Sequence, residues 1–247
     1  MSARQLFAET TLVLRILGRQ PSFWVPTVLF PAMLYTFFGA GLAGSGPAAG
    51  YAMASFAVYA VLGVGFYQFG VSVAQDRADP FTIWQRILPG SAFAPWVARV
   101  VVGIGFSMLA MALVLILGKL LGGVVLTEGA AWARLAGITL VCALPATLMG
   151  TALGSLSSAR AAVPLANLVF LPLAYLGGLW MPPHLLPEVV GAISVWTPTR
   201  AMGELAWAAL DGRALPERYV LILAGWTTLA AAITWAAQRR NHRALFG

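Results

Sequence analysis

Charge is what this chain has least of. Only 9% of its 247 residues are Asp, Glu, Lys or Arg, against roughly 25% in an ordinary soluble domain. From Gln20 to Gln75 there is no charged side chain at all, a run far longer than the ~20 apolar residues that one membrane-spanning helix needs. Such a composition cannot dress the surface of a soluble globule, so that class is excluded. Lysine occurs once, as Lys119 followed by Leu120, and Leu113 stands where a phosphate-binding loop needs its first glycine. The chain therefore cannot hold ATP through a G-x-x-x-x-G-K-[S/T] loop. The one cysteine, Cys142, lies in an apolar run and can close no internal disulfide. The two histidines, His184 and His242, and all eight acids fall at the ends of apolar runs or in loops, whereas proton relays place such groups within the spans. No set of His, acid and nucleophile and no metal-ligand spacing is present. No catalytic residue, cofactor or metal ion is expected.

What is abundant is apolar: hydrophobic residues make up 60% of the chain. Uncharged runs predict an all-α polytopic membrane protein with six spans, at about Phe23 to Gly41, Gly50 to Ala74, Pro95 to Gly118, Leu135 to Leu156, Ala161 to Met181 and Tyr219 to Ala237. The Gly39, Gly41, Gly44, Ser45, Gly46 and Pro47 cluster makes the turn between the first two. The first run exceeds the 7–15 residues of a signal-peptide core, so it is expected to stay in place as a span. Pro145, Pro164 and Pro172 fall inside spans and predict kinks. The whole of 1–247 reads as one membrane domain.

Six spans put both termini on one side. One side then holds Arg4, Arg15, Arg19, Arg77, Arg86, Arg99, Arg160, Arg239, Arg240 and Arg243 against three acids, and the other holds Lys119, Arg134, Arg200, Arg213 and Arg218 against five. The positive-inside rule assigns the first side, with both termini, to the cytoplasm. Topology thus explains a pI of about 10.3; the basic residues come in ones and twos, not in the cluster that a nucleic-acid surface needs. Ahead of the first span, Leu6, Phe7, Val13, Leu14 and Leu17 recur at helical spacing, with Arg4, Thr11, Arg15 and Arg19 on another face. This predicts an amphipathic helix lying on the inner leaflet, since Gly18, Pro21 and Pro26 let the chain bend before it enters the bilayer.

Two segments stand out from the spans. In the Asp76 to Ser91 loop, Asp79 can cap a helix that begins at Pro80 and ends before Pro89-Gly90. That helix, Pro80 to Leu88, presents Phe81, Ile83, Trp84, Ile87 and Leu88 on an apolar surface and Thr82, Gln85 and Arg86 on a polar one. It fits two roles: insertion into a partner's groove, or an interfacial helix with Trp84 among the headgroups. The other segment, His184 to Arg218, is too broken by charge to span. Two short helices on either side of Thr197-Pro198, dipping into the outer half of the membrane, would bury Val189, Ile193, Val195, Trp196, Met202, Leu205, Trp207 and Leu210. In the fourth span, Ala146, Gly150, Gly154 and Ser158 recur every four residues and predict close packing, expected against a helix of the same chain.

Together these segments resemble the type-2 ATP-binding-cassette exporter permeases of the drug, antibiotic and glycolipid export branch. Pro172, Gly177-Gly178, Pro182, Leu186-Pro187 and Pro198 are similar to that family's fifth span and outer re-entrant helices. The stretch Asp76-Arg77 through Trp84, Arg86, Leu88 and Pro89 resembles its coupling-helix region. Members often carry Ser-Gly where this chain has Gly177-Gly178, Asn-Pro where it has Thr197-Pro198, and an acid-rich Glu-x-Gly loop that this chain lacks. The resemblance implies an ATPase-coupling helix with Asp76, Arg77, Asp79, Phe81, Trp84, Arg86 and Leu88, and an outer gate with Gly177, Gly178, Pro182, Pro187, Pro198 and Glu204. It also implies a permease subunit in the inner (plasma) membrane, paired with an identical or sister subunit, among membrane lipids and without nucleic acid. Two separate cytosolic ATPases would power export of an amphipathic drug, antibiotic or glycolipid. The residues alone also admit an ion-coupled carrier or channel that works without an ATPase, and a membrane scaffold that transports nothing.

Overall fold

The computed structural model describes residues 2–41, 46–79, 94–124 and 129–246. The described residues form helices and no strand. Helix α1 (Ala3–Gly18) starts at Ser2, whose hydroxyl accepts the Gln5 N–H, and stops before Pro21. Helix α2 (21–40) follows, then α3 (Pro47–Asp76), α4 (Ala94–Leu120), α5 (Gly129–Leu156) and α6 (Ala162–Leu176). After a short turn come α7 (Glu188–Ser194), α8 (Pro198–Asp211) and α9 (Glu217–Phe246).

By length and composition, α3, α4, α5 and the Glu217–Ala237 part of α9 can each cross a membrane. α2 (21–40) occupies the place of the first expected span over nearly its whole length, and the shorter α6 (Ala162–Leu176) that of the fifth. In α2 the backbone widens to i→i+5 bonding at Val25–Leu29 and Tyr35–Ala40, around Pro26 and ahead of Gly41. α6 ends at Leu176 instead of running on to Met181, because Gly178 adopts the left-handed conformation at φ 70°. The Gly178 N–H then donates to Tyr175 O and the Leu179 N–H to Ala174 O, a Schellman stop.

Of the three expected proline kinks, Pro145 gives one. α5 breaks at Cys142, where the missing Pro145 N–H leaves Val141 O without its helical donor. Pro164 does not act that way: it falls in the first turn of α6, where no N–H is needed. Pro172 lies inside α6.

α3 is the axis of the molecule. Its most apolar stretch is 89% buried, against 22% for α9, and Met53, Phe56, Tyr59, Leu62, Phe66 and Phe69 on all its sides are fully enclosed. A helix that is hydrophobic all round belongs in the centre. α5 crosses it at backbone contact: a Cβ on Gly150 would overlap Gly65 O, and one on Gly154 would overlap Gly70 O. The four-residue stripe of small side chains therefore packs inside the chain, as its spacing predicts. α1 lies against α4 with Leu17 buried and Phe7 and Leu14 exposed, an apolar face left for lipid.

Candidate functional site

Asp76 ends α3 and Arg99 lies in the second turn of α4. Their side chains meet in an ion pair, with a quarter to a third of each still exposed. The next residue turns the other way: the Arg77 guanidinium donates to Gly154 O, at 3.3 Å, and to Ser155 O. Those carbonyls belong to the last turn of α5, where no helical N–H is available and a positive charge is favoured. Two turns up α3, the buried Gln68 amide donates to Arg99 O at 3.2 Å. One dipeptide at the end of α3 thus holds both neighbouring helices. Asp79 is exposed, and its N–H donates to Asp76 O at 3.3 Å. The expected Pro80–Leu88 helix, with Phe81, Trp84, Arg86 and Leu88, lies outside the described residues.

The second group of candidate residues gathers at the other end of α3. Thr197 caps α8 by accepting the Arg200 N–H at 3.2 Å, with Pro198 as the first helical residue. The two short helices expected on either side of Thr197-Pro198 are α7 and α8. Ser194 and Thr199 hydroxyls donate to Leu176 O and Leu173 O, carbonyls in the last turn of α6. Gly177 faces Thr199 so closely that a Cβ would come within 2.6 Å of the threonine Cβ, and at Gly178 one would come within 2.8 Å of Pro183. Pro182 and Pro187 have the extended ψ that starts the Pro183–Leu185 turn and α7 as separate elements. Glu204 is paired with Arg200 at 2.7 Å, and that guanidinium stands 5.6 Å over the Trp207 ring.

α8 buries Met202, Leu205, Trp207 and Leu210, as expected, but α7 does not enclose its share. Val189, Ile193 and Trp196 are exposed, because α7 lies on the outside of α6 and α9 and not between helices. α8 is tied to α3 directly. Trp207 Nε1 donates to Ser55 Oγ at 2.9 Å, and Tyr51 OH donates to the Asp211 carboxylate at 2.9 Å. Arg134 of α5 donates to Ala209 O at 3.0 Å. Asp211 also accepts from Arg213 at 2.8 Å and pushes that exposed guanidinium's pKa up. An arginine is already charged at every accessible pH, so this pair is no pH switch. From Ser55 to Asp76 along α3 is roughly 30 Å at 1.5 Å per residue, about the thickness of a bilayer's hydrocarbon core.

Between the two ends, a cavity of about 220 Å³ opens among Phe30 of α2, Tyr59 and Tyr67 of α3, and Asn167, Phe170 and Leu171 of α6. Tyr67 OH donates to Asn167 Oδ1. The volume is below the roughly 300 Å³ at which drug-sized pockets begin; it holds one ring, not a whole large solute.

Sequence reasoning missed Arg99, Gln68, Tyr67 and Asn167 as site residues. Their partners lie 23, 31 and 100 residues away, beyond any periodic pattern. One signal was present: Gln68 and Asn167 are carboxamides within otherwise apolar runs, and polar groups at such depth mark functional contacts.

A family model described as "ABC-2 type transporter" matches residues 4–210, from α1 to the end of α8. A protein of Bacillus subtilis (strain 168) named "Putative transport permease YvfS" is 24% identical over 243 residues, which cover 96% of this chain and 97% of that relative. With a match over most of its length, and apolar helices long enough to cross a bilayer, this membrane protein belongs to the ABC-2 type transporter family.

Proposed function

We propose that the chain is the membrane-spanning permease subunit of an exporter that moves an amphipathic solute out of the cytoplasm on the power of a separate ATPase. One observation carries this reading furthest. The central helix α3 leads at one end into the segment expected to touch an ATPase, and at the other end is bonded to the segment expected to gate the exit. A push at one bilayer surface is therefore applied to the same rigid element that holds the opposite surface.

In this mechanism 1–247 is one six-span domain with both termini in the cytoplasm, as the ten-to-five distribution of basic residues favours. Two such subunits, identical or sisters, stand over two cytosolic ATPases. ATP binding closes the ATPase pair against the Pro80–Leu88 helices, where Trp84 and Arg86 supply the grip. α3 carries that displacement toward α8. The Gly177–Pro187 turn and the capped start of α8 then part from their counterparts across the subunit interface. The cavity beside Tyr67 and Asn167 suits an aromatic or apolar part of the cargo, with the carboxamide offering one polar contact. Nothing in the chain can hydrolyse ATP through a phosphate-binding loop, so that chemistry stays with the partner.

Trp84→Ala and Arg86→Glu are the direct tests. Each variant is expected to insert normally and to lose ATP-driven transport at least about tenfold, the size of loss typical when an interface anchor is removed. Co-purification of the ATPase and solute flux in vesicles measure it. Unchanged ATPase binding together with unchanged flux in both variants would remove the coupling assignment.

A further inference from the structure

We infer that Asp76, Arg77 and Arg99 are positioning residues that join α3, α4 and α5 so that the three helices move as one body. The inference rests on the coupling role proposed above and assigns parts within it. A push on the end of α3 reaches its neighbours only if they are fixed to it there. Asp76 ends α3, Arg99 lies in the second turn of α4, and the Asp76–Arg99 ion pair joins the two. The Gln68 amide on Arg99 O repeats the connection about two turns deeper, where the side chain is fully buried. Both bonds converge on Arg99, through its guanidinium and its carbonyl, so two positions of α3 eight residues apart hold one residue of α4.

Arg77 adds the third helix. Its guanidinium covers the terminal carbonyls of α5, at Gly154 and Ser155, where the α3–α5 contact is already so tight that Gly154 lies against Gly70 O. Among the described residues, the charged groups here include Asp76, Arg77, Asp79 and Arg99. Asp76 and Arg77 are neighbours with different partners: reversing Asp76 sets two cations against each other, and reversing Arg77 removes the donor to the α5 carbonyls. Joined in this way, α3, α4 and α5 take the force together, and motion must be taken up at their borders with α2 and α6, where the cavity lies.

The experiment is a charge swap in the chain assembled with its ATPase in vesicles, with ATP turnover and transported solute measured on the same sample. Asp76→Arg and Arg99→Asp, singly, are expected to lower solute moved per ATP by about fivefold or more, the lower end of a typical coupling between sites. The double variant, which restores the pair with its charges exchanged, is expected to return to within about twofold of the native ratio. Arg77→Lys should keep most of the ratio and Arg77→Ala should lose it, because a lysine can still reach the α5 carbonyls. If the charge-reversed chains fail to insert, Asp76→Asn decides, since it keeps the shape and drops the charge.

Single variants with a native ratio, or a double variant no better than either single, would overturn the inference while leaving the ATPase-driven reading in place. A native chain that moves solute without binding any ATPase would overturn both. The ratio of solute moved to ATP turned over separates positioning from mere stability, because loss of folded protein lowers both quantities together and leaves their ratio unchanged.

Discussion

At single residues, what decides the behaviour of the 177–211 segment is how each helix end finds its hydrogen bonds. Thr197 stands where relatives of the resembled family often have Asn, yet its hydroxyl accepts the Arg200 N–H as an Asn side chain would. The departure is therefore conservative in chemistry. Thr197→Ala is expected to cost about 1 kcal/mol through loss of the cap, and Thr197→Asn to cost little; thermal unfolding of the purified protein compares the two. Gly178 was not legible as a break, since the apolar run continued through it to Met181. Only the folded chain shows the left-handed φ and the Pro183 ring against its α-carbon. Arg99 was counted for topology alone. Its partner 23 residues away could not be read from any local pattern, because a membrane chain of this kind offers many arginines at span ends and few acids.

For the helices, apolar runs located α3, α4, α5 and α9 to within a few residues, since a stretch that must cross hydrocarbon has to exclude charge throughout. The same signal overstated the fifth run. Apolar composition there continues past the point where the backbone has already stopped, at Gly178 after α6. The small-residue stripe of α5 was legible because close packing needs a repeat, and the repeat is visible. Its partner, the Gly65 to Gly70 stretch, was not predicted, as its glycines are five residues apart and out of helical register; the widened backbone there brings both against α5. Gly150→Ala tests this contact. A methyl group at that site overlaps Gly65 O, and overpacking of this kind costs about 1–3 kcal/mol. The variant is expected to melt lower in detergent, whereas Gly137→Ala in the same helix, which meets nothing within 4 Å, is expected to be neutral or slightly stabilising.

Across the whole molecule, the arrangement is a central rod with work to do at each end. The sequence disclosed the class of protein because charge is so scarce that only a bilayer can accommodate it. It excluded ATP binding through a phosphate-binding loop, because the one lysine is misplaced, and left an outside ATPase and an ion gradient both open as sources of power. It did not disclose what holds the two ends of α3, since that depends on Ser55, Tyr51 and Gln68, polar residues of α3 whose partners come from α8 and α4. In the proposed function, the ring-sized cavity at Tyr67 and Asn167 narrows the cargo's chemistry. The most direct measurement is solute movement in sealed vesicles containing this chain, with and without its ATPase and with and without ATP. Movement above leak is expected only when ATPase and hydrolysable nucleotide are both present, and collapse of the proton and sodium gradients should leave it unchanged. Movement by the chain alone, or movement that ends when those gradients are dissipated, would contradict a motor acting from outside.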